Sequence, residues 1–340
     1  MLSFVNDYCE GAHQEILEKL TEINFEKQAG YMGSRYCESA AEKIRAALSC
    51  PNAEVFFLTG GTQTNQLAID TLLKPYEGVV ATRTGHVEAH ESGAIEFTGH
   101  KVLTIPSHNG KMDAGELHEY VKKYYGDESW DHIVTPGMVY ISQPTELGTL
   151  YTREELAAIR KVCDEYRMPL YMDGARLAEA LAADETLTLS DYALLTDAFY
   201  IGGTKCGALF GEALVFTKGN MPERFLSRVK QHGALLAKGW IVAVQYDVMF
   251  TDDLYIRGGR NAVEKAAVIK KALKEKGYEF YVDSPTNQIF VVMDKSRAEA
   301  LSEKVNYTLW EDIGDSRVVI RFVTSWATGE ADVKALTEVL

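Results

Sequence analysis

Short apolar runs alternate with segments of helical periodicity across residues 55–216, and no other feature limits the fold of this chain as much. Helical patterns cover Thr62–Leu73, Ala114–Tyr124 and Arg153–Tyr166. The apolar runs that are typical of buried strands are Val55–Leu58, Val79–Ala81, Lys101–Ile105, Met138–Ser142, Leu170–Met172, Ala198–Ile201 and Ala213–Phe216. Strands that alternate with helices predict an α/β fold with a mostly parallel sheet, in which ligands bind beyond the carboxyl ends of the strands.

Longer helical segments replace this alternation after about residue 218. The expected elements are helices near Pro222–Leu236, Gly239–Met249, Ala262–Glu275 and Arg297–Lys304, strands near Gln288–Val292 and Arg317–Phe322, and a last helix from Glu330. The change predicts a large domain over residues 51–218 and a smaller α+β domain, with its linking helices, over residues 219–340. Residues 1–50 are largely helical in pattern, and we expect them to pack on the small domain or on a partner chain.

The balance of charge excludes two classes of partner. Lys and Arg number 35 against 49 Asp and Glu, and the net charge of -14 disfavours binding to nucleic acid or to an anionic membrane surface. No apolar stretch approaches the roughly 18 residues that span a bilayer.

The five cysteines are odd in number and none has CxxC spacing, so we expect neither a disulfide framework nor a metal site. Free thiols and a start without a signal-peptide pattern predict a cytoplasmic protein.

Two neighbouring strand ends carry a carboxylate and a lysine. The strand Leu170–Met172 runs into Asp173, a tight Gly-Ala turn and Arg176, and the next strand runs into Gly-Gly-Thr-Lys205. In this order the two residues predict a site for pyridoxal phosphate (PLP), in which Asp173 keeps the pyridine nitrogen protonated and Lys205 forms a Schiff base with the cofactor. The alternatives are a helix N-cap for Asp173 and a solvated loop position for Lys205.

Two further turns support a cofactor site. A Thr-Gly-Gly-Thr turn over residues 59–62 joins a strand to a helix, and such a turn offers free backbone N–H groups to a phosphate. It contains neither the Gly-Lys-Ser/Thr of a P-loop nor GxGxxG, so a nicotinamide-dependent dehydrogenase is disfavoured. His86 follows the strand Val79–Ala81, where an imidazole can stack on a flat cofactor ring, and its alternative is a surface histidine.

As an ordered set, these segments resemble the low-specificity L-threonine aldolases, which belong to the β-eliminating lyase group of fold-type I PLP enzymes. The resemblance runs from Asn6 to Thr324. The matching segments are Gly60–Gln66, Gly85-His86, Glu91–Ala94, Asp131-His132, Asp173–Arg176, Thr204-Lys205 and Ile320–Thr324. The resemblance implies an aminotransferase-like fold, PLP as the cofactor, a small amino-acid substrate and a homodimer or homotetramer with cofactor sites at its interface.

The resemblance also implies roles for single residues. Lys205 corresponds to the Schiff-base lysine, Asp173 to the partner of the pyridine nitrogen and His86 to the histidine stacked on the cofactor ring. The other cofactor contacts that it implies are Gly61 and Thr62 for the phosphate, together with Arg176 and Thr204. Arg176 and Arg321 correspond to the arginines that hold the substrate carboxylate. His132 corresponds to a second active-site histidine, near the substrate's β-hydroxyl.

Three positions depart from the pattern of the family, and the first is Tyr31–Tyr36, which lacks the acidic pair that the family usually has after its first helix. Asn6 stands where the family often has a serine near the substrate carboxylate. Leu236 stands where an arginine usually reaches a neighbouring subunit's cofactor phosphate, and Lys238 is the expected substitute. The sequence thus assigns Asn6 to the substrate and Lys238 to the cofactor.

The activity implied is retro-aldol cleavage of an L-β-hydroxy-α-amino acid, threonine-like, to glycine and an aldehyde. The base that takes the β-hydroxyl proton is His132, His86 or a bound water. The alternatives are another PLP-dependent β-elimination, transamination or aldol reaction on a bulkier amino acid and, more remotely, a non-catalytic binding protein on this fold.

Overall fold

The computed structural model describes all 340 residues. The strands are β1 Leu2–Ser3, β2 Glu54–Leu58, β3 Glu77–Thr82, β4 Val102–Ile105, β5 Thr135–Ser142, β6 Leu170–Asp173, β7 Ala198–Gly202, β8 Glu212–Phe216, β9 Glu279–Phe280, β10 Gln288–Asp294, β11 Val305–Asn306, β12 Thr308–Gly314 and β13 Arg317–Val323. The helices are α1 Gln14–Glu22, α2 Arg35–Ala47, α3 Gly61–Leu72, α4 His86–Ala89, α5 Ala94–Phe97, α6 Ala114–Tyr125, α7 Arg153–Tyr166, α8 Leu177–Ala183, α9 Leu189–Leu195, α10 Phe225–Gln231, α11 Trp240–Met249, α12 Leu254–Glu275, α13 Lys295–Ser302 and α14 Glu330–Val339, with a 3₁₀-helix over Trp130–His132.

A seven-stranded sheet in the order β2-β8-β7-β6-β5-β3-β4 forms the centre of the large domain. β4, β3, β5, β6 and β7 pair in parallel, whereas β8 is antiparallel to both β7 and β2. Each of the predicted strands up to residue 216 is present, and the predicted mostly parallel α/β sheet is confirmed. Because Ser142 of β5 pairs with Asp173 of β6, the carboxyl ends of these strands meet at one edge.

Helix α7 shows how local sequence positions the strands around it. Thr152 and Glu155 form a capping box, with the Glu155 side chain accepting from the Thr152 N–H at 2.8 Å. Such a cap stabilises a helix by about 0.5–2 kcal/mol. One face of the helix buries Leu156, Ile159 and Cys163 in the large core, and the helix ends at Arg167, which has a left-handed φ of 58°. The next strand, β6, then delivers Asp173 to the edge of the sheet.

The small domain contains a four-stranded antiparallel sheet in the order β12-β13-β10-β9, with its own core against α12, α13 and α14. The N-terminal segment contacts both domains: β1 pairs with β11, whereas α1 and α2 pack on α11. No helix combines the length and the apolar character that crossing a membrane requires.

One predicted helix differs from the structure at its end, and strand β12 was not predicted. The predicted helix over Pro222–Leu236 is wrong at its carboxyl end, because α10 stops at Gln231 and Gly233 follows with a φ of 68°. The sequence analysis did not predict strand β12. Its residues include the charged pair Glu311-Asp312 and none of them is buried, so the strand has no buried apolar run to indicate it.

Candidate active site

A cavity of about 340 Å³ lies at the carboxyl ends of β5, β6 and β7. Its wall includes most of the predicted cofactor residues, namely Gly61, Thr62, His86, Asp173, Arg176, Thr204 and Lys205. A second cavity, of about 490 Å³, shares His86, Arg176 and Lys205 with the first and extends to Arg321 on β13 of the small domain. The site therefore lies where the two domains face each other.

The Thr59–Thr62 turn forms one end of the first cavity. It leads into α3, a helix of 12 residues whose first N–H groups have no partner within the helix. A Cβ on Gly61 would lie 3.1 Å from the hydroxyl oxygen of Tyr200, so glycine lets the backbone pass close to that side chain. The turn can bind an anion through backbone N–H groups.

Asp173 is held in a buried hydrogen-bond network. Its Oδ2 accepts from the Tyr140 hydroxyl at 2.8 Å and from Asn65 Nδ2 at 3.0 Å, and its Oδ1 accepts from the Ala175 N–H at 3.0 Å. The side chain is 4% exposed. Burial opposes ionisation, but the charge of His86 and the hydrogen bonds outweigh it and lower the pKa of Asp173. A carboxylate whose surroundings favour its charged form thus lines the cavity.

His86 is tied to the same network through Glu91. Its Nδ1 lies 2.7 Å from Glu91 Oε1, which also accepts from Asn65 Nδ2 at 2.8 Å. Burial disfavours the imidazolium, but the hydrogen bond to Glu91 and the charges of Asp173 and Glu91 outweigh it and raise the pKa of His86. Asn65 therefore links the partner of His86 to Asp173.

Lys205 lies next to a buried carboxylate but forms no hydrogen bond or ion pair of its own. The carboxylate is Glu212, whose Oε2 accepts from the Gly203 N–H at 2.9 Å and whose Oε1 accepts from the Thr204 hydroxyl at 2.8 Å. Burial and the charge of Arg176 lower the pKa of Lys205, and burial raises the pKa of Glu212 to about 7. An amine that is more readily deprotonated is a better nucleophile.

The two predicted carboxylate arginines have different surroundings. Arg176 binds the buried Asp7 through two nitrogens, at 2.6 and 3.2 Å, and Asn287 donates to the same carboxylate at 2.9 Å. Arg321 has no acidic partner. Its Nη1 donates to Gln288 Oε1 at 3.1 Å, its guanidinium lies 5.2 Å from the Trp310 ring centroid, and its Nε is buried without a partner. Arg321 is thus the guanidinium that is free to bind a carboxylate.

Comparison with known proteins identifies the family. The sequence model described as beta-eliminating lyase matches residues 4–296. The low-specificity L-threonine aldolases of Pseudomonas sp. strain NCIMB 10558 and of Pseudomonas aeruginosa are 31% and 30% identical to this chain, in each case over 98% of the chain and 95% of the relative. The threonine aldolase structure of Leishmania major superposes with a TM-score of 0.96 at 40% identity, over 100% of this chain and 98% of that one.

The chain belongs to the β-eliminating lyase family. It is a PLP-dependent lyase of the threonine aldolase group with the fold-type I architecture. Aspartate aminotransferase from Thermus thermophilus, at 16% identity and a TM-score of 0.71, shares that fold alone. The first cavity fits PLP, because it combines the free N–H groups of the α3 N-terminus, the ionised Asp173 and the unpaired amine of Lys205.

Three predicted site residues lie outside both cavities. His132 is exposed in the 3₁₀-helix that precedes β5, whereas both cavities lie beyond the strands' carboxyl ends. Within one chain the whole length of β5 therefore separates His132 from both cavities, and its role as the base stays a prediction. Asn6 accepts from the Tyr8 N–H at 3.0 Å and does not line the cavity. Lys238 is exposed before α11 and reaches neither cavity.

The structure adds wall residues that the sequence analysis did not single out. They include Tyr8 of the N-terminal segment and Glu146 and Glu212 of the large domain, with Asn65 and Glu91 behind the wall. In the small domain they are Gln288, Thr308, Leu309 and Trp310. Asn65 and Glu91 lie inside matched segments and had a visible signal, but Trp310 lies on the unpredicted strand β12. No sequence pattern linked β12 to a strand end of the large domain.

Proposed function

We propose that this enzyme cleaves L-β-hydroxy-α-amino acids with a threonine-like side chain to glycine and an aldehyde. The names of its relatives support this, since both Pseudomonas proteins are low-specificity L-threonine aldolases. The observation that carries the proposal is the Arg321 guanidinium, which has no acidic partner and shares a cavity with Lys205. Arg321 suits the carboxylate of an amino acid, whose amine would lie beside the cofactor carbon that Lys205 holds.

Residues of the large domain would hold the cofactor. In this proposal the N–H groups of Gly61 and Thr62 bind its phosphate, Asp173 binds its pyridine nitrogen, His86 lies against its ring and Lys205 binds its aldehyde carbon. When bound, PLP withdraws electrons from the Cα of the substrate and so weakens the bonds at that carbon. The hydrogen bonds to Asp173 and His86 keep both groups oriented before substrate binds.

The arginines would select which bond at Cα is broken. Arg321 binds the substrate carboxylate, and Arg176, oriented by Asp7, contributes positive charge from the opposite side. Holding the carboxylate fixes the rotation of the amino acid about its Cα–N bond. The Cα–Cβ bond is then presented to the cofactor, which is the protein's positioning contribution to catalysis.

A bulkier β-hydroxy amino acid, such as a phenylserine-like one, is the second candidate substrate. The second cavity, of about 490 Å³, extends past Arg321 to Leu309 and Trp310. The Trp310 ring packs edge-on against Phe290 with centroids 5.0 Å apart, so the indole is held in place as one wall. His90 lines the same cavity beside the indole, with ring centroids 6.4 Å apart. An aryl side chain would fill this space better than a methyl group.

We further propose a homodimer or homotetramer in the cytoplasm. In such an assembly Lys238, exposed beside the start of α11, would reach a neighbouring subunit's cofactor phosphate. Asn6 would then assist substrate binding through Tyr8, which lines both cavities. Light scattering on the PLP-loaded enzyme checks the assembly, and an active monomer would contradict it.

The test of the main proposal is a product assay. The PLP-loaded protein is incubated with L-threonine, L-allo-threonine and a phenylserine, and glycine and aldehyde are both quantified. The expected result is equal amounts of glycine and aldehyde. Ammonia and a keto acid without glycine would replace the aldolase proposal with β-elimination.

A further inference from the structure

Three glutamates surround the catalytic cavity, and one of them differs from the other two. Glu91 lies behind the wall, where its Oε1 holds His86 and Asn65 and its Oε2 is buried away from the cavity. Glu212 uses both oxygens, for the Gly203 N–H and the Thr204 hydroxyl. Glu146 lines both cavities and uses only one oxygen.

The used oxygen of Glu146 is held from two sides. Its Oε1 accepts from the backbone N–H of His86 at 2.9 Å and from the Ser142 hydroxyl at 2.6 Å. Its Oε2 accepts no hydrogen bond and is not sealed from solvent. Because the residue lines both cavities, that open oxygen is the carboxylate atom available to the amino acid's side chain in the proposed reaction. The two hydrogen bonds thus fix the carboxylate in place and leave its Oε2 free to accept a proton.

Cleavage of a β-hydroxy amino acid needs a group that accepts the hydroxyl proton. His132 lies at the other edge of the sheet. The Nδ1 of His86 is occupied by Glu91 at 2.7 Å, so this nitrogen is not available to the substrate's hydroxyl. Burial raises the pKa of Glu146, which makes this carboxylate a stronger base than an exposed one.

We propose that Glu146 accepts the proton of the substrate's β-hydroxyl through Oε2, an assignment that rests on the aldolase function proposed above. The O–H bond breaks and its proton moves to Glu146. The C–O bond at Cβ becomes the carbonyl of the aldehyde as the Cα–Cβ bond breaks, and the electron pair of that bond stays with Cα. One proton then returns to Cα to give glycine, so the proton taken from oxygen and the proton delivered to carbon balance.

Glu146→Gln tests the assignment, since the amide keeps an oxygen for the His86 N–H and the Ser142 hydroxyl but is not a base. Two reactions are compared. Cleavage of L-threonine needs the base that accepts the β-hydroxyl proton. Glycine has no β-hydroxyl, so exchange of its α-proton in D₂O, followed by NMR, does not need that base. We expect cleavage to fall by about 10²–10⁴-fold and glycine exchange to stay within about threefold of wild type. Glu146→Asp should recover part of the cleavage because it restores a carboxylate.

Two further measurements control for misfolding. PLP titrated into the apoprotein should bind Glu146→Gln as tightly as wild type, and Glu128→Gln, an exposed glutamate of the opposite edge, should cleave threonine normally. Unchanged cleavage by Glu146→Gln, or an equal loss of cleavage and exchange, overturns the assignment. A wild-type enzyme that exchanges glycine but cleaves no β-hydroxy amino acid is a different outcome. It refutes the aldolase function, and the assignment with it.

Discussion

The two sides of the active site are built differently. On the large-domain side, Asp173, Glu91 and His86 are joined through Asn65, and each already has hydrogen-bond partners in the free chain. On the small-domain side, Arg321 Nε and Gln288 Nε2 are buried donors without partners. A buried donor without a partner costs about 1–3 kcal/mol. The large domain is therefore prepared for a resident cofactor, whereas the small domain gains its missing contacts when a substrate carboxylate arrives.

The largest expected effect is at Lys205, on the prepared side. Lys205→Ala should lower threonine cleavage by about 10⁴-fold or more, because no other amine lines the first cavity. Borohydride reduction of the wild-type holoenzyme should attach the cofactor to Lys205, as read by mass spectrometry of peptides. A label on another lysine would remove Lys205 from its assigned role.

Asp7→Asn should have the next largest effect, on the free energy of unfolding, because Asp7 joins Arg176 of the large domain to Asn287 of the small domain. The substitution leaves the Arg176 guanidinium, whose side chain is only 12% exposed, without its anion. Breaking a buried ion pair lowers the free energy of unfolding by about 3–5 kcal/mol. Denaturant unfolding of the holoenzyme measures the change, and Asp127→Asn, at an exposed carboxylate, is the matched control. A loss below 1 kcal/mol would show that the pair behaves as a surface one.

Arg321→Ala tests the small-domain side of the active site directly. Losing a charge-assisted contact to the substrate carboxylate should lower kcat/KM by about 10²-fold, or roughly 3 kcal/mol. PLP binding should not change, since Arg321 lines only the second cavity. Steady-state kinetics and a PLP titration separate the two effects. A variant that loses PLP and keeps its substrate affinity would place Arg321 on the cofactor side.

Gln288→Leu should give a smaller effect of the same kind. The variant removes the unpartnered Nε2 donor and the acceptor of Arg321 Nη1, so the KM for threonine should rise by about 3–10-fold, the value of one hydrogen bond. The kcat at saturating substrate should change less than the KM. A fall in kcat with an unchanged KM would assign Gln288 to the chemical step.

His132→Phe should have the smallest effect. The residue is exposed at the amino edge of β5, and exposed substitutions change free energies by about 0.5 kcal/mol or less. The variant is compared with His86→Phe under the same assay, and the His86 variant should be the more impaired. A large loss in His132→Phe alone would mean that His132 reaches a site in a neighbouring subunit.

The large-domain side of the active site was predictable from the sequence, and the small-domain side was not. Asp173 and Lys205 follow apolar strands directly, so the strand pattern alone brings them to one edge of the sheet. His132 precedes its strand, and because the parallel sheet puts the two ends of a strand at opposite edges, the strand pattern does not bring it to Lys205 of the same chain. Gln288 and Trp310 come from a separate sheet, and their approach to Lys205 depends on how the domains pack, which no local pattern contains.

The contact of Asp7 with Arg176 and Asn287 also limits the order in which this enzyme can mature. Asp7 is 169 residues from Arg176 and 280 residues from Asn287 along the chain. During synthesis, the first residues leave the ribosome long before either partner exists. Asp7 therefore gains its complete set of partners only after residue 287 of the small domain has been made, so the active site is among the last parts of the molecule to be finished.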